Sequence, residues 1–451
     1  MMKRKKVLML GWEFPPLING GLGVACYGIS KALSKHLDLT IVLPKTSPDD
    51  QQISNVKLIG LNHLNASEVF HEELQFEKSR KEQLDKEIKG IVEATVDPYY
   101  QYSTTTKTDA QKISQEIEHI SKDIIGIEGI SPDFLEVFKS KEVYGEDVIQ
   151  KVILYAKYAE KLCKSIDFDI IYAHDWMTFL AGVTIKQITG KPLVVHVHAL
   201  DYDRVGSHSR GWIYDVEKYG MQNADRVIPV SKYTAEVITN HYGIDASKIY
   251  PVHNGAIEVE SFKEVKKIPE KLVLFLGRVT HQKGPENFME IASKVFEAYP
   301  KVRFVVAGTG DKLKRLIEKG AYRNIGHKFH FTGFLDKDKV NRLLSMTDVY
   351  CMPSVSEPFG LSALEAAQFG IPTVLSKQSG VSEVLEGALT ADFWDVNLMA
   401  EHIVSLLESK KLANQLVAKN KKNLQNLTWD HSAEKILDVF QSLEEGVAVY
   451  S

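Results

Sequence analysis

A chain of 451 residues, 44% hydrophobic and 25% charged, exceeds what one hydrophobic core usually supports, and its composition excludes a disordered or collagen-like class. Its formal net charge of −4 argues against polyanion binding as the main task, so no nucleic-acid partner is expected. Cys26, Cys163 and Cys351 are widely spaced and read as buried thiols of a reduced compartment, not as a disulfide frame or metal set.

Residues 1–10 (MMKRKKVLML) put basic residues ahead of apolar ones, but the apolar run is too short for a signal-peptide core, and Glu13, Pro15 and Pro16 follow at once. The stretch reads as a lead-in to a strand at 6–10. No later window approaches membrane-spanning length, so no integral membrane segment and a cytoplasmic location are expected. After that strand come Asn19-Gly20-Gly21-Leu22-Gly23, a helical pattern over 24–37 and a second strand at 39–43. This alternation implies a parallel, doubly wound α/β sheet. The spacing is not that of a dinucleotide fingerprint. The glycines serve either a tight turn or the approach of backbone amides to a phosphate or sugar.

Residues 61–150 are the least legible, with a charged helical pattern over 77–89 and a loop-like stretch over 97–108. They read as an insertion in the first domain. Order returns with a helix over 146–166, then strands at 169–173, 191–198, 224–230 and 249–252, with Ser231 capping a helix. The carboxyl ends of these strands carry polar text: HDW at 174–176, HVHALD at 196–201 and VSKYT at 230–234. In open parallel sheets that edge is where ligands bind.

A second copy of the pattern begins near Lys271, after a charged linker at 256–267. Its expected strands are 272–277, 301–307, 327–331, 348–352 and 372–375; a helix over 362–369 has Gly370 as its stop signal. Helical patterns over 398–407, 411–424 and 429–443 close the chain. Two α/β domains are therefore expected to face a cleft.

Several residues carry chemistry in this layout. Arg278 and Lys283 follow a strand at the entry to a helix, where two cations and a helix N-terminus either form a diphosphate clamp or stand as ordinary surface cations. Glu357 lies just before a helix whose first amides, on Phe359, Gly360 and Leu361, are free donors for an anion; Glu365 is about two turns further on. His196 and His198 alternate and so point to one side of a strand end. No D-x-D or His/Cys spacing offers a metal site, and none is expected.

Taken in order, GWEFPP…GGLG at 11–23, HDW, HVHALD, GR…QKG at 277–284, TGF at 332–334 and EPFGL at 357–361 with Glu365 resemble the retaining glycosyltransferases of the GT-B fold. Family 4 (glycosyl transferases group 1) and the related bacterial and archaeal glycogen and starch synthases match best. The resemblance spans nearly the whole chain apart from 61–150. It implies a Rossmann-like acceptor-side domain at 1–255, a Rossmann-like donor domain at 256–428, and a terminal helix at 429–451 that crosses back to the first domain.

By the same resemblance, Arg278 and Lys283 hold the donor diphosphate, and Glu357 lies near the donor sugar over the amides of Phe359, Gly360 and Leu361. Glu365 is matched to the ribose, Phe334 and Leu335 to the base, and Gly20 and Gly21 to a loop over the diphosphate. His198 is matched to the donor sugar, and Asp175 and Trp176 to the acceptor side. Ile18-Asn19 stand where glycogen synthases often show a lysine before the paired glycines. The expected activity is transfer, with retention, of a sugar (glucosyl favoured) from a UDP-, ADP- or GDP-sugar to a hydroxyl acceptor, α-glucan among the candidates. The nucleotide sugar is a co-substrate, and no cofactor or metal is required. An epimerase of the same fold and a non-catalytic nucleotide-sugar-binding protein are the rivals.

Overall fold

Continuous apolar runs become strands here because both faces of each sheet are covered, so every side chain along a central strand meets a core. In Lys271–Leu276, Val273 and Phe275 join one buried cluster while Leu272 and Leu274 join another on the opposite face. The computed structural model describes residues 4–17, 20–47, 52–64, 137–139, 144, 148–256, 266 and 268–445. Most of the expected insertion, with its stretches at 77–89 and 97–108, lies outside the described residues, as do Ile18, Asn19 and most of the linker.

The described elements of the first half run β1 (Lys6–Leu10), α1 (Gly21–Leu33), β2 (Asp38–Leu43), β3 (Val56–Gly60), α2 (Val148–Cys163), β4 (Ile170–His174) and α3 (Trp176–Thr189). Then come β5 (Leu193–Val197), α4 (Asp201–Val205), α5 (Trp212–Asn223), β6 (Arg226–Pro229) and α6 (Lys232–Tyr242). The second half has β7 (Lys271–Leu276), α7 (Pro285–Ala298), β8 (Val302–Ala307), α8 (Leu313–Tyr322), β9 (Phe329–Gly333), α9 (Lys337–Met346), β10 (Val349–Met352) and α10 (Leu361–Gln368). It ends with β11 (Thr373–Ser376), β12 (Leu389–Ala391), α11 (Val396–Glu408), α12 (Lys410–Gln425) and α13 (Trp429–Glu445).

The strands form two six-stranded sheets, ordered β3-β2-β1-β4-β5-β6 and β12-β11-β10-β7-β8-β9. Every pairing is parallel. Read from its other end, the second order repeats the first, so each sheet is a doubly wound Rossmann-like layout whose direction reverses between its first and fourth strands. In the first sheet that reversal lies between β1 and β4, and in the second between β7 and β10.

The chain divides into two compact units. One holds residues 1–229, 235–252 and 432–451; the other holds Val230–Thr234 and His253–His431. Within the first unit, the terminal helix buries Ala433, Ile436, Val439 and Phe440. Phe440 meets the edge of Tyr172 on β4, with ring centroids 5.2 Å apart. Arg226 of β6 donates from Nε to the Ser442 hydroxyl at 3.0 Å.

Some elements differ from expectation. The stretch 249–252 makes only an isolated bridge, Ile249 to Val227: its Tyr250 and Val252 amides donate to the Val227 and Pro229 carbonyls at 2.8 and 2.9 Å, but Pro229 has no amide to return a bond and continue the ladder. The first helix spans Gly21–Leu33, starting earlier and ending sooner than its apolar pattern suggests. The edge strands β3 and β12 and the helices α4 and α5 are additional; edge strands are short and half-covered, so their patterns are weak. Ser231 caps α6 as expected, its hydroxyl accepting from the Thr234 amide at 3.0 Å.

Candidate active site

In the second unit the residues of interest gather where the sheet direction reverses, at the carboxyl ends of β7 and β10. Beyond β7 the chain passes Arg278, which is exposed, makes one 3-10 turn over His281–Lys283, and enters α7 at Pro285. Gly284 links the two at φ 66°, and a Cβ there would lie 2.0 Å from the Pro353 carbonyl oxygen. Only glycine lets the two strand exits touch. The Val355 amide then donates to the Gln282 carbonyl at 2.8 Å, tying the β10 exit to the β7 exit.

That contact brings the Lys283 ammonium onto the Glu357 carboxylate as a salt bridge. Glu357 is 5% exposed and also accepts from the Ser354 hydroxyl at 3.4 Å. A buried carboxylate needs such partners, since its desolvation is otherwise uncompensated. Its own amide donates to the Gln378 carbonyl at 2.9 Å, and its carbonyl accepts from the Gly380 amide at 3.0 Å. Next along, the amides of Phe359, Gly360 and Leu361 donate to no carbonyl among the described residues, as the head of a helix leaves them. The Phe359 side chain is a core residue, 3% exposed.

Glu365 lies within α10, and its burial pushes the carboxyl above its ordinary value while the Lys337 charge pulls it down. At the end of β9, Phe334 stands 80% exposed, whereas Leu335 packs against the core. Arg278 shares the β7 exit with Lys283.

In the first unit Gly20 and Gly21 lie exposed at the head of α1, beyond the β1 exit. Asp175, at the β4 exit, caps α3 with φ 59° and ψ 169°, a conformation that costs a non-glycine residue about 1–3 kcal/mol. Its Oδ1 accepts from the His198 amide at 2.6 Å and the Ala199 amide at 3.4 Å, so the strained residue fixes the β5 exit. Burial lifts the Asp175 carboxyl to about 7, against the pull of those amides and of Arg204. Trp176 is buried, edge-on to Trp212 at 5.8 Å.

His196 and His198 do share one side, with ring centroids 4.2 Å apart. Sequence reasoning missed that His174 joins them: its Nδ1 lies 2.9 Å from His198 Nε2, and Cys26 Sγ is 3.7 Å from the same Nδ1. The available signal was the parallel register, which sets His174 beside His196. It also passed over Glu13, a buried carboxylate held by the Tyr144 hydroxyl.

Cys26, His174 and His198 place one donor atom each within 4.8 Å of one another, a grouping their separate positions in the chain conceal. The arrangement reads as a hydrogen-bonded chain. Metal-bound imidazoles orient through their second nitrogen, yet His174 Nε2 and His198 Nδ1 have no hydrogen-bond partner. Burial raises the Cys26 thiol well above its ordinary value, with the charges of Asp175 and Glu13 adding to the effect. Burial holds His198 down at about 3, and His174 and His196 fall well below their usual range from burial and from the charge of His198, with His174 adding to the effect on His196.

Comparison with known proteins shows the family. Residues 256–423 match the family described as Glycosyl transferases group 1, and residues 128–257 match Glycosyltransferase Family 4. The chain is a group 1 glycosyltransferase of the GT-B fold. It is 25% identical over 460 residues to an uncharacterized glycosyltransferase of Methanocaldococcus jannaschii, covering 97% of this chain and 98% of that one. It is 26% identical to a glycogen synthase of Mycobacterium tuberculosis, covering 98% and 95% of the two chains. Among solved structures, Anabaena HepE in complex with UDP and glucose aligns with a TM-score of 0.60 at 15% identity, covering 97% of this chain and all of that one.

The two family matches meet near residue 256, close to where the second unit's main segment begins at His253. Among the described residues of the glycosyltransferase, no helix is long and apolar enough to cross a membrane.

Proposed function

We propose that this glycosyltransferase moves a glucosyl group, with retention, from a nucleoside diphosphate glucose to a hydroxyl acceptor, an α-glucan chain being the favoured one. The observation that carries the reading is the Lys283–Glu357 bridge at the point where the second sheet reverses, beside the free amides of Phe359–Leu361. Arg278, Lys283 and those amides would grip the diphosphate. On donor binding, Lys283 is shared between Glu357 and phosphate oxygens. The glucose C1–oxygen bond to the diphosphate breaks, and the leaving group keeps the electron pair. The acceptor oxygen bonds to C1 on the same face, and its proton passes to a departing phosphate oxygen.

Glu357 stabilises positive charge developing at the sugar, Glu365 accepts from the ribose, and Phe334 and Leu335 meet the base. Gly20, Gly21 and His198 contact the diphosphate and sugar; Asp175 and Trp176 serve the acceptor. Fixed cations and amide dipoles offset the leaving charge, so the reading requires no metal. The glycogen synthase relative and the UDP and glucose bound to HepE support a glucosyl donor, with UDP, ADP and GDP the bases to compare.

The test is transfer to an α-glucan primer from UDP-, ADP- and GDP-glucose, with the product anomer read by NMR. Glu357→Ala and Lys283→Ala should each lower turnover at least about a hundredfold while the fold survives. Wild-type turnover in either variant sinks the assignment. Release of a free epimerised nucleotide sugar without acceptor would favour the epimerase instead.

A further inference from the structure

The loop that carries Glu357 is held from two sides within the second unit. One side is the turn after β11. There the Gly380 amide donates to Glu357 O and the Val381 amide to Phe359 O at 2.7 Å. The other side is the segment Val230–Thr234. Its Ser231 hydroxyl donates to the Pro358 carbonyl at 2.6 Å, and its Tyr233 hydroxyl is 2.8 Å from the Ser356 hydroxyl. The packing is tight: a Cβ on Gly380 would lie 2.3 Å from the Pro358 oxygen and 2.4 Å from Ser231 Cβ.

One carboxylate joins the two sides. Glu383 Oε1 accepts from the Tyr233 amide at 2.7 Å, and Oε2 accepts from the Lys232 amide at 3.0 Å. His253 Nε2 lies 2.7 Å from the same Oε2, and the His253 ring stands 5.9 Å from that of Phe359. The amides served are the first of α6, orphans that a carboxylate satisfies well. Such a double anchor on backbone donors fixes position more strictly than a single side-chain contact.

We infer that Glu383 is a positioning residue for Glu357: by locking segment 230–234 against the turn after β11, it sets the height of the acidic loop at the reacting sugar. The inference rests on the reading of Glu357 given above. Glu383 itself touches no reacting atom. A loop displaced by about 1 Å would misplace the carboxylate that serves the transition state, while Arg278 and Lys283, carried by the β7 exit, keep their hold on the diphosphate.

Full-length Glu383→Ala, Glu383→Gln and Ser231→Ala are compared with wild type for nucleoside diphosphate release from UDP-, ADP- and GDP-glucose. For Glu383→Ala, kcat should fall about 10- to 100-fold while UDP, ADP or GDP affinity stays within about threefold, the signature of an interaction used only in the transition state. Glu383→Gln keeps one acceptor oxygen but sets an NH2 group against the second amide, so it should fall between. Ser231→Ala should show a smaller loss of the same kind.

Hydrogen exchange needs no substrate: in Glu383→Ala, peptides covering 353–362 should exchange faster while those covering 271–276 do not change. Wild-type kcat in Glu383→Ala below its melting temperature, or unaltered exchange over 353–362, overturns the inference. If Glu357→Gln is inactive and Glu383→Ala is not, only the positioning role fails. If Glu357→Gln turns over like wild type, the functional reading fails with it.

Discussion

Two carboxyl groups of the candidate site, Glu365 and Asp175, have their charge disfavoured by burial, and each makes a prediction at the scale of one residue. Burial raises the Glu365 carboxyl, so the folded chain holds that proton more tightly than the unfolded chain. Stability from this group is fully present below the unfolded pKa and is lost as pH rises through the folded one. Glu365→Gln should therefore raise the melting temperature at pH 8 by about 2 °C. If Glu365 accepts from the ribose, the same change should weaken UDP, ADP or GDP binding about tenfold, because a charge-assisted acceptor is lost. Melting curves and a nucleotide titration read both effects, and a stabilised variant with unchanged affinity would remove Glu365 from the ribose.

Asp175 follows the same sign with its carboxyl at about 7. Its stabilising proton is present below the unfolded value near 3.8 and is lost as pH rises through about 7. Asp175→Asn keeps an acceptor for the His198 amide and has no proton to lose. Relative to wild type it should gain melting temperature between pH 5 and pH 8. A difference that stays flat across that range would show that Asp175 is ionised throughout.

At the scale of elements, the strand exits decide where chemistry gathers. Lys283 and Glu357 are 74 positions apart, yet they meet because β7 and β10 are neighbours and Gly284 lets their exits touch. The histidines stack because β4 and β5 pair in parallel register at the end of the first sheet. The terminal helix behaves as an element of the first unit, its Phe440 1% exposed against Tyr172. Phe440→Ala should destabilise that unit by about 3–5 kcal/mol, the usual cost of emptying an aromatic site in a core. Denaturant melts check the loss; a cost under about 1 kcal/mol would mean that the helix is not part of that core.

For the whole molecule, two sheets of the same winding carry different text at their ligand edges: histidines and a strained aspartate in one unit, a lysine–glutamate bridge and free amides in the other. If the second unit grips the diphosphate, saturating UDP, ADP or GDP should slow hydrogen exchange first over 277–285 and 353–362. A hundredfold excess over Kd is worth about 2.7 kcal/mol of stability. Protection confined to the first unit, with 353–362 unmoved, would reverse the division of labour.

Much of this was legible in the chain. The second-sheet strands, the Ser231 cap and the three C-terminal helices follow from apolar periodicity and capping residues, which are local properties of a few turns. The edge strands at Val56–Gly60 and Leu389–Ala391 were not legible, because an edge covered on one side leaves no continuous apolar run. The stretch at 249–252 looked like a strand, and Pro229 opposite it, lacking an amide, kept the ladder from continuing.

By itself the sequence determined the alternation of strands and helices, the doubling of the pattern, and which residue types stand at each strand end. Burial on both faces of a sheet is recorded position by position in the apolar runs. Tertiary structure alone decided the partners: Lys283 with Glu357, His174 with His198 and Cys26, and Glu383 with the amides of Lys232 and Tyr233. Those pairings depend on sheet order and on how closely backbones approach, and no local pattern in the chain encodes a contact across 74 or 150 positions.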